Sequence, residues 1–183
     1  ASLDKVDLSK FSALESIGEH FLDGCKNLTE LDLSNISWLT SIPNNFLNNC
    51  NFKTLDFTSL TNVKTFGDDF LFNCNKLTSV NLANLTLVEK IGKMFLGNCT
   101  SLEAIDLSSW TNLVEIGSGF LSNCEKMLSA NLPNGGNITT IGDDFMKDCK
   151  SLPNLDLTSI FKNITTLPSN FLSGYATLKA FCL

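Results

Sequence analysis

Little in this chain invites a catalytic reading. It holds a single histidine, His20, and no H-E-x-x-H, G-x-S-x-G or phosphate-cradling glycine loop. None of its seven cysteines stands in a C-x-x-C spacing, so the common zinc and thioredoxin-type arrangements are missing. No stretch approaches the roughly 18 apolar residues of a membrane span, and the start, which lacks Met, shows neither the basic region nor the apolar run of a signal peptide. Positive charge is scarce: the net charge is −6 and the pI about 4.7, whereas a nucleic-acid backbone calls for basic patches. The expectation is a chain with no catalytic residues, no metal or cofactor, no nucleic-acid partner and no membrane span in this segment. It opens at Ala1 and closes on Phe181-Cys182-Leu183 in mid-pattern, and so reads as part of a longer array.

What the chain does have is a repeat. Its 183 residues, 43% of them hydrophobic, suit one ordered domain over 1–183. Cysteines fall at Cys25, Cys50, Cys74, Cys99, Cys124 and Cys149, and four residues before each stands Phe21, Phe46, Phe70, Phe95, Phe120 or Phe145. A seventh copy has Phe171 with Tyr175 in the cysteine position. An apolar residue and a Gly or Pro precede each Phe, as in Ile17-Gly18, Ile42-Pro43, Phe66-Gly67 and Leu167-Pro168. After each cysteine comes an apolar–polar–apolar triplet such as Leu31-Asp32-Leu33, Leu55-Asp56-Phe57 or Ile105-Asp106-Leu107. The sum is about seven units of 24–26 residues, the mark of a solenoid whose units bury their apolar sides only by stacking.

Each unit divides into three parts. The triplet alternates like a half-buried strand. Pairs such as Leu39/Ile42, Val63/Phe66 and Leu113/Ile116 mark a second short extended stretch. Phe-Leu-x-x-Cys places apolar groups at i, i+1 and i+4, one face of a short helix; the acids Glu19, Asp68, Asp69, Asp143 and Asp144 suit that helix's N-terminus. Because Pro43 and Pro168 share the Gly column, that column cannot demand a positive φ.

The string Ile-Gly-x-x-Phe-Leu-x-x-Cys-x-x-Leu-x-x-Leu-Asp-Leu-Ser resembles the leucine-rich repeats of the BspA-like (Treponema-type) class over essentially the whole chain. The resemblance implies an α/β repeat fold: a right-handed solenoid with a parallel concave sheet and short helices on the convex side. It also implies a cell-surface or secreted protein of the kind linked with adhesion in bacteria and parasitic protists, binding a protein partner. The alternative is a structural or scaffold segment inside a larger, intracellular assembly. Neither end carries a polar cap, so further repeats or other copies are expected to meet the ends.

Candidate contact residues are those that face out or break the pattern. The polar member of the triplet forms a column, Asp7, Asp32, Asp56, Asn81, Asp106, Asn131 and Asp156, flanked by Ser9, Ser34, Thr58, Ser108 and Thr158. It is either an acidic strip for a basic partner, with Asp7, Asp32 and Asp56 consecutive, or a ladder in which carboxylates and hydroxyls satisfy each other. Carboxylates about 5 Å apart in water repel by only about 0.8 kcal/mol, so solvation is enough to tolerate the row. The face lacks the Tyr, Trp and Arg anchors of binding hot spots, and a flat strip does not supply the six to eight oxygens that calcium takes.

Trp110 reads as core. Trp38 and Leu87 stand where other units have Asn62, Asn112 and Asn137, which marks them as candidate contacts or as loop cover. N-x-[ST] sequons occur at Asn27, Asn35, Asn84, Asn98, Asn137 and Asn163; Asn98, beside a core cysteine, is a poor acceptor, and Asn35 and Asn84 are the best placed. The six column cysteines read as buried free thiols, while Cys182, in a polar position, is a candidate reactive thiol. His20 has no implied partner. The Pro133-Asn134-Gly135-Gly136 loop and the extra residue near Phe161-Lys162 are expected to be irregular surface features.

Overall fold

The computed structural model describes residues 3–8, 10–11, 13–134 and 137–182. Ser9, Gly135, Gly136, Leu183 and the side chain of Cys182, about which expectations were formed, lie outside the described residues. Thirteen very short strands follow one another: β1 (Lys5–Val6), β2 (Glu30–Leu31), β3 (Ser41–Ile42), β4 (Thr54–Asp56), β5 (Thr65–Phe66), β6 (Ser79–Asn81), β7 (Lys90–Ile91), β8 (Ala104–Asp106), β9 (Glu115–Ile116), β10 (Ser129–Asn131), β11 (Thr140–Ile141), β12 (Asn154–Asp156) and β13 (Ala180–Cys182). All pairings are parallel and join corresponding positions of neighbouring units, for example Leu55 with Val80 and Phe66 with Ile91.

The strands form two rows along the solenoid. The second extended stretch makes a continuous five-stranded sheet, β3-β5-β7-β9-β11. The triplets make the first row, which is broken into two-stranded ladders, β1-β2, β4-β6, β8-β10 and β12-β13. Two of the three breaks fall beside a local departure in the sequence. Between β2 and β4, the run from Cys50 to Phe52 is one residue shorter than that from Cys25 to Leu28. Between β10 and β12, Pro153 stands where Thr78, Glu103 and Leu128 donate their N–H to the preceding unit, and proline has no N–H to give.

The helix expected over Phe-Leu-x-x-Cys is absent: among the described residues the one helical element is a 3₁₀ turn at Ser34–Ile36. The segment is instead a run of turns in which every second residue has a left-handed φ, as at Asn45 (57°), Leu47 (55°) and Asn49 (57°). The alternation throws successive N–H groups to opposite neighbours. Leu71 N–H donates back to Phe46 O at 3.1 Å, while Asp69 and Asn73 donate forward to Lys93 O and Gly97 O at 2.8 and 2.9 Å. Intra-unit helix bonds are thus traded for inter-unit ones.

A left-handed residue with a Cβ costs about 1–2 kcal/mol, least for Asn and Asp, while Gly goes there freely. The first such column holds His20, Asn45, Asp69, Met94, Gly119, Asp144 and Asn170, and the third Gly24, Asn49, Asn73, Asn98, Asn123, Asp148 and Gly174. The middle column is leucine or methionine, and Leu47, Leu71, Leu96 and Leu121 are fully buried. Burying a leucine is worth about 1.5–3 kcal/mol, which offsets the strain.

Inside, the repeated phenylalanines stack into one file. Neighbouring rings from Phe21 to Phe171 lie 5.0–6.3 Å apart and within 24° of parallel. Trp110 joins them as expected, stacked on Phe66 at 5.3 Å with Nε1 donating to Leu82 O. Beside this file runs the thiol column. Each Sγ donates to the carbonyl of the left-handed residue one unit back: Cys50 to Leu22, Cys74 to Leu47, Cys99 to Leu71, Cys124 to Leu96 and Cys149 to Leu121, at 3.1–3.3 Å. A small apolar side chain with one weak donor fits that place.

Candidate interaction surface

Four outward regions present polar residues, and three of them are committed to holding units together. On the turn face, Asn44 bonds Glu19, Asn73 bonds Asn49, Lys150 bonds Glu125 and Asn170 bonds Asp144. On the second sheet, Thr65 Oγ1 donates to Ser41 Oγ at 2.7 Å and Lys90 Nζ pairs with Glu115 at 2.8 Å. In the loops between the rows, Asn62, Asn112 and Asn137 each donate a side-chain N–H to a backbone carbonyl of the preceding unit, on Ser37, Thr86 and Thr111.

The first row differs. Its outward column is the predicted one, with Asp7, Asp32, Asp56, Asn81, Asp106, Asn131 and Asp156 all exposed. One oxygen of each of four aspartates closes the turn after its strand: Asp32 Oδ1 accepts from Ser34 N–H, Asp56 Oδ1 from the hydroxyl and N–H of Thr58, Asp106 Oδ1 from Ser108 N–H and Asp156 Oδ1 from Thr158. These bonds lower the carboxyl pKa of Asp32, Asp56, Asp106 and Asp156, through Ser34 N–H at the first and chiefly the Thr or Ser hydroxyls at the others. The column is therefore ionised at neutral pH, and its recurrence has a structural cause, the turn. The second oxygen is left for other partners, met within the protein by Asn81 at Asp56 and by Asn131 at Asp106, both at 3.4 Å. None of the ion pairs among the described residues engages Asp32, Asp56, Asp106 or Asp156.

Two shallow grooves cross this face at breaks in the row. One, over β2, β4 and β6, is bordered by Glu30, Thr54, Asp56 and Ser79. The other, over β10 and β12, is lined by Leu128, Ala130, Pro153 and Leu155 with Asp156 at its end. Leu128 and Ala130 depart from the apolar register of the other units, and that they shape a surface was missed by sequence reasoning. The signal lay in the columns: Leu128 replaces Thr29, Thr78 and Glu103, and Ala130 replaces Leu55, Val80 and Ile105.

The remaining candidates do not converge on one site. Trp38 is half-buried against the core and Leu87 is 40% exposed, with the unit of Asn62 between them. Phe161 is not a surface bulge; its ring packs edge-on against Phe171 at 5.1 Å. Pro133 is buried as well. His20 has a partner after all, Asp23, at 3.0 Å. Asn27, Asn35, Asn84 and Asn163 are exposed, whereas the side chain of Asn137 is engaged with Thr111 O. The backbone of Cys182 pairs with Asp156 in β13. Among the described residues there is no group of three or more potential metal ligands and no helix long and apolar enough to cross a membrane.

The thiol column sets a pH dependence. Burial raises Cys50 from the ordinary 9.0 to about 11 and Cys74 and Cys149 to about 12, and it holds Cys99 and Cys124 well above 9.0. Below pH 9 the thiols are protonated folded or unfolded and give no slope. Above it the unfolded chain loses thiol protons first, so stability falls as pH rises through about 9 to 11. The urea midpoint is expected to be clearly lower at pH 10 than at pH 8; an equal midpoint contradicts buried, protonated thiols.

The BspA type leucine-rich repeat region matches this chain in six copies, over residues 1–109 and 85–182. No curated protein and no solved structure matches it. Parallel rungs in register, a stacked Phe file and nearly the whole length under one repeat pattern lead to one conclusion: the chain belongs to the BspA-type leucine-rich repeat family.

Proposed function

We propose that this chain is a non-catalytic protein-binding module of a cell-surface or secreted adhesion protein, and that the face of the first strand row is its contact surface. One observation carries the reading. The turn face, the second sheet and the loops tie their polar groups to neighbouring units, while Asp32, Asp56, Asp106 and Asp156 spend one oxygen on their own turn, stay exposed and enter no ion pair among the described residues. A basic protein surface suits that row, with Asp56 and Glu30 at the groove over β2, β4 and β6 and Asp7 and Asp32 beside Glu30 over β1 and β2. Rim carboxylates of this kind act mainly on association rate and salt dependence. The surface placement rests on the family habit and on exposed sequons, Asn35 and Asn84 foremost.

Two measurements test the proposal. Asp32→Asn with Asp56→Asn is expected to reduce binding to immobilised oligolysine several-fold in low salt, with little change in thermal midpoint because asparagine still accepts the turn bond. Binding unchanged by the double substitution contradicts the assigned face. Mass spectrometry of the protein from its native source is expected to find glycan on Asn35 or Asn84, or to recover the protein from the cell surface or medium. A wholly intracellular protein without glycan contradicts the placement.

A further inference from the structure

From the groove over β10 and β12, we infer that this solenoid carries a specific docking notch for an extended protein segment bearing one large apolar side chain and, two residues away, a lysine or arginine. The inference rests on the protein-binding reading above and adds which segment is bound and where. The notch arises from three departures from the repeat that fall together. Ala130 takes the inward position that Leu55 and Ile105 fill in other units, leaving a recess between Ile105 and Leu155. Leu128 is 59% exposed in a column that is polar elsewhere except at Pro153, an apolar lip at the recess. Pro153 removes the bond that would draw β12 against β10, and those two strands are not paired.

The other end of the notch is acidic. Asp106 and Asp156 flank Asn131, the turn residues hold both carboxylates ionised, and neither has an ion pair among the described residues. Side chains of an extended segment share a face at every second residue, about 7 Å apart. An apolar side chain seated between Leu128 and Ala130, level with Ser129, therefore brings a cation two positions further on over Asn131, between the two carboxylates. Glu103, exposed one unit back in the column of Leu128, adds a further negative charge beside the lip. Charge complementarity therefore selects a basic–apolar segment over an acidic one or a purely apolar surface.

The test uses the whole chain and backbone amide NMR with three uncharged-end hexapeptides at roughly 1 mM. The first has phenylalanine and lysine two positions apart, the second glutamate for the lysine, and the third serine for the phenylalanine. The first peptide is expected to shift amides of residues 128–131 and 154–156, and the other two to do so at least several-fold less. Ala130→Leu, which restores the side chain of the repeat, is expected to raise the thermal midpoint while abolishing those shifts. Leu128→Thr, restoring the polar column, is expected to weaken them with the fold unchanged, and it serves if the first variant overpacks. Equal response to the glutamate peptide, or full response in both variants, overturns the notch. Shifts confined to Glu30, Asp32 and Asp56 overturn it while leaving the protein-binding reading intact; no shifts anywhere on the face count against both.

Discussion

Replacing Phe95 by alanine is expected to cost about 3–5 kcal/mol. Phe95 is fully buried at the middle of the file, stacked on Phe70 at 5.0 Å and Phe120 at 5.8 Å, with Phe66 and Trp110 edge-on at 5.2 and 5.9 Å. Neighbouring backbones cannot collapse into the hole, because the rungs on both sides are held by inter-unit bonds such as Leu96 N–H to Phe70 O and Leu121 N–H to Phe95 O. A domain has about 5–15 kcal/mol in total, so the loss is a large share of it. In a solenoid the damage also interrupts propagation between the two halves. Urea denaturation followed by Trp110 fluorescence measures it. The same substitution at Phe21, half-buried at the end of the file, is expected to cost clearly less, and equal costs would contradict the stacked-file account.

Gly92→Ala is expected to be comparably severe, about 3 kcal/mol, for a different reason. A Cβ there would lie 2.5 Å from Gly67 C and 2.6 Å from Gly67 O, both backbone atoms that no rotamer change can move aside. Gly117 and Gly142 meet the preceding unit just as closely, so the column sets the approach of successive turns. At Gly18, the first of the column, an added Cβ meets nothing within 4 Å, and Gly18→Ala is expected to be close to neutral. Thermal midpoints of the two variants check the contrast. A mild Gly92→Ala would show that the units stand further apart than described.

These two positions also show what was legible in the chain and what was not. The Phe and Cys files, the alternating triplet and the second extended stretch follow from apolar periodicity, because side-chain burial is what periodicity records. The Gly column was read correctly as not needing a positive φ, but wrongly as a helix start. Its cause is a contact between residues 25 apart, Gly67 and Gly92, which no local rule reaches. The supposed helix is the clearest case. Phe95, Leu96 and Cys99 satisfy the apolar spacing of a helix face and of alternating turns equally well. The discriminating signal lay in the residues between, where Gly, Asn and Asp recur at Gly24, Asn49, Asn73, Asn98, Asn123, Asp148 and Gly174. A column of residues tolerant of left-handed φ is a statement about backbone, and it outweighs the apolar pattern.

The candidate contact residues divide along the same line. The aspartate column was visible as a row, and its dual role is seen only once the turn bonds to Ser34, Thr58, Ser108 and Thr158 are in place. Leu128, Ala130 and Pro153 were readable singly as deviations. That they meet on one face depends on the register of β10 and β12.

The central structural claim is that this repeat closes its turn face with alternating left-handed residues that bond to both neighbouring units. Backbone φ angles from NMR couplings and chemical shifts at Leu47, Leu71, Leu96 and Leu121 test it most directly. The expected result is φ near 53–55° at all four, with low far-UV helical signal. Values near −60° in consecutive residues, with helical amide contacts, would contradict it and restore the convex helices.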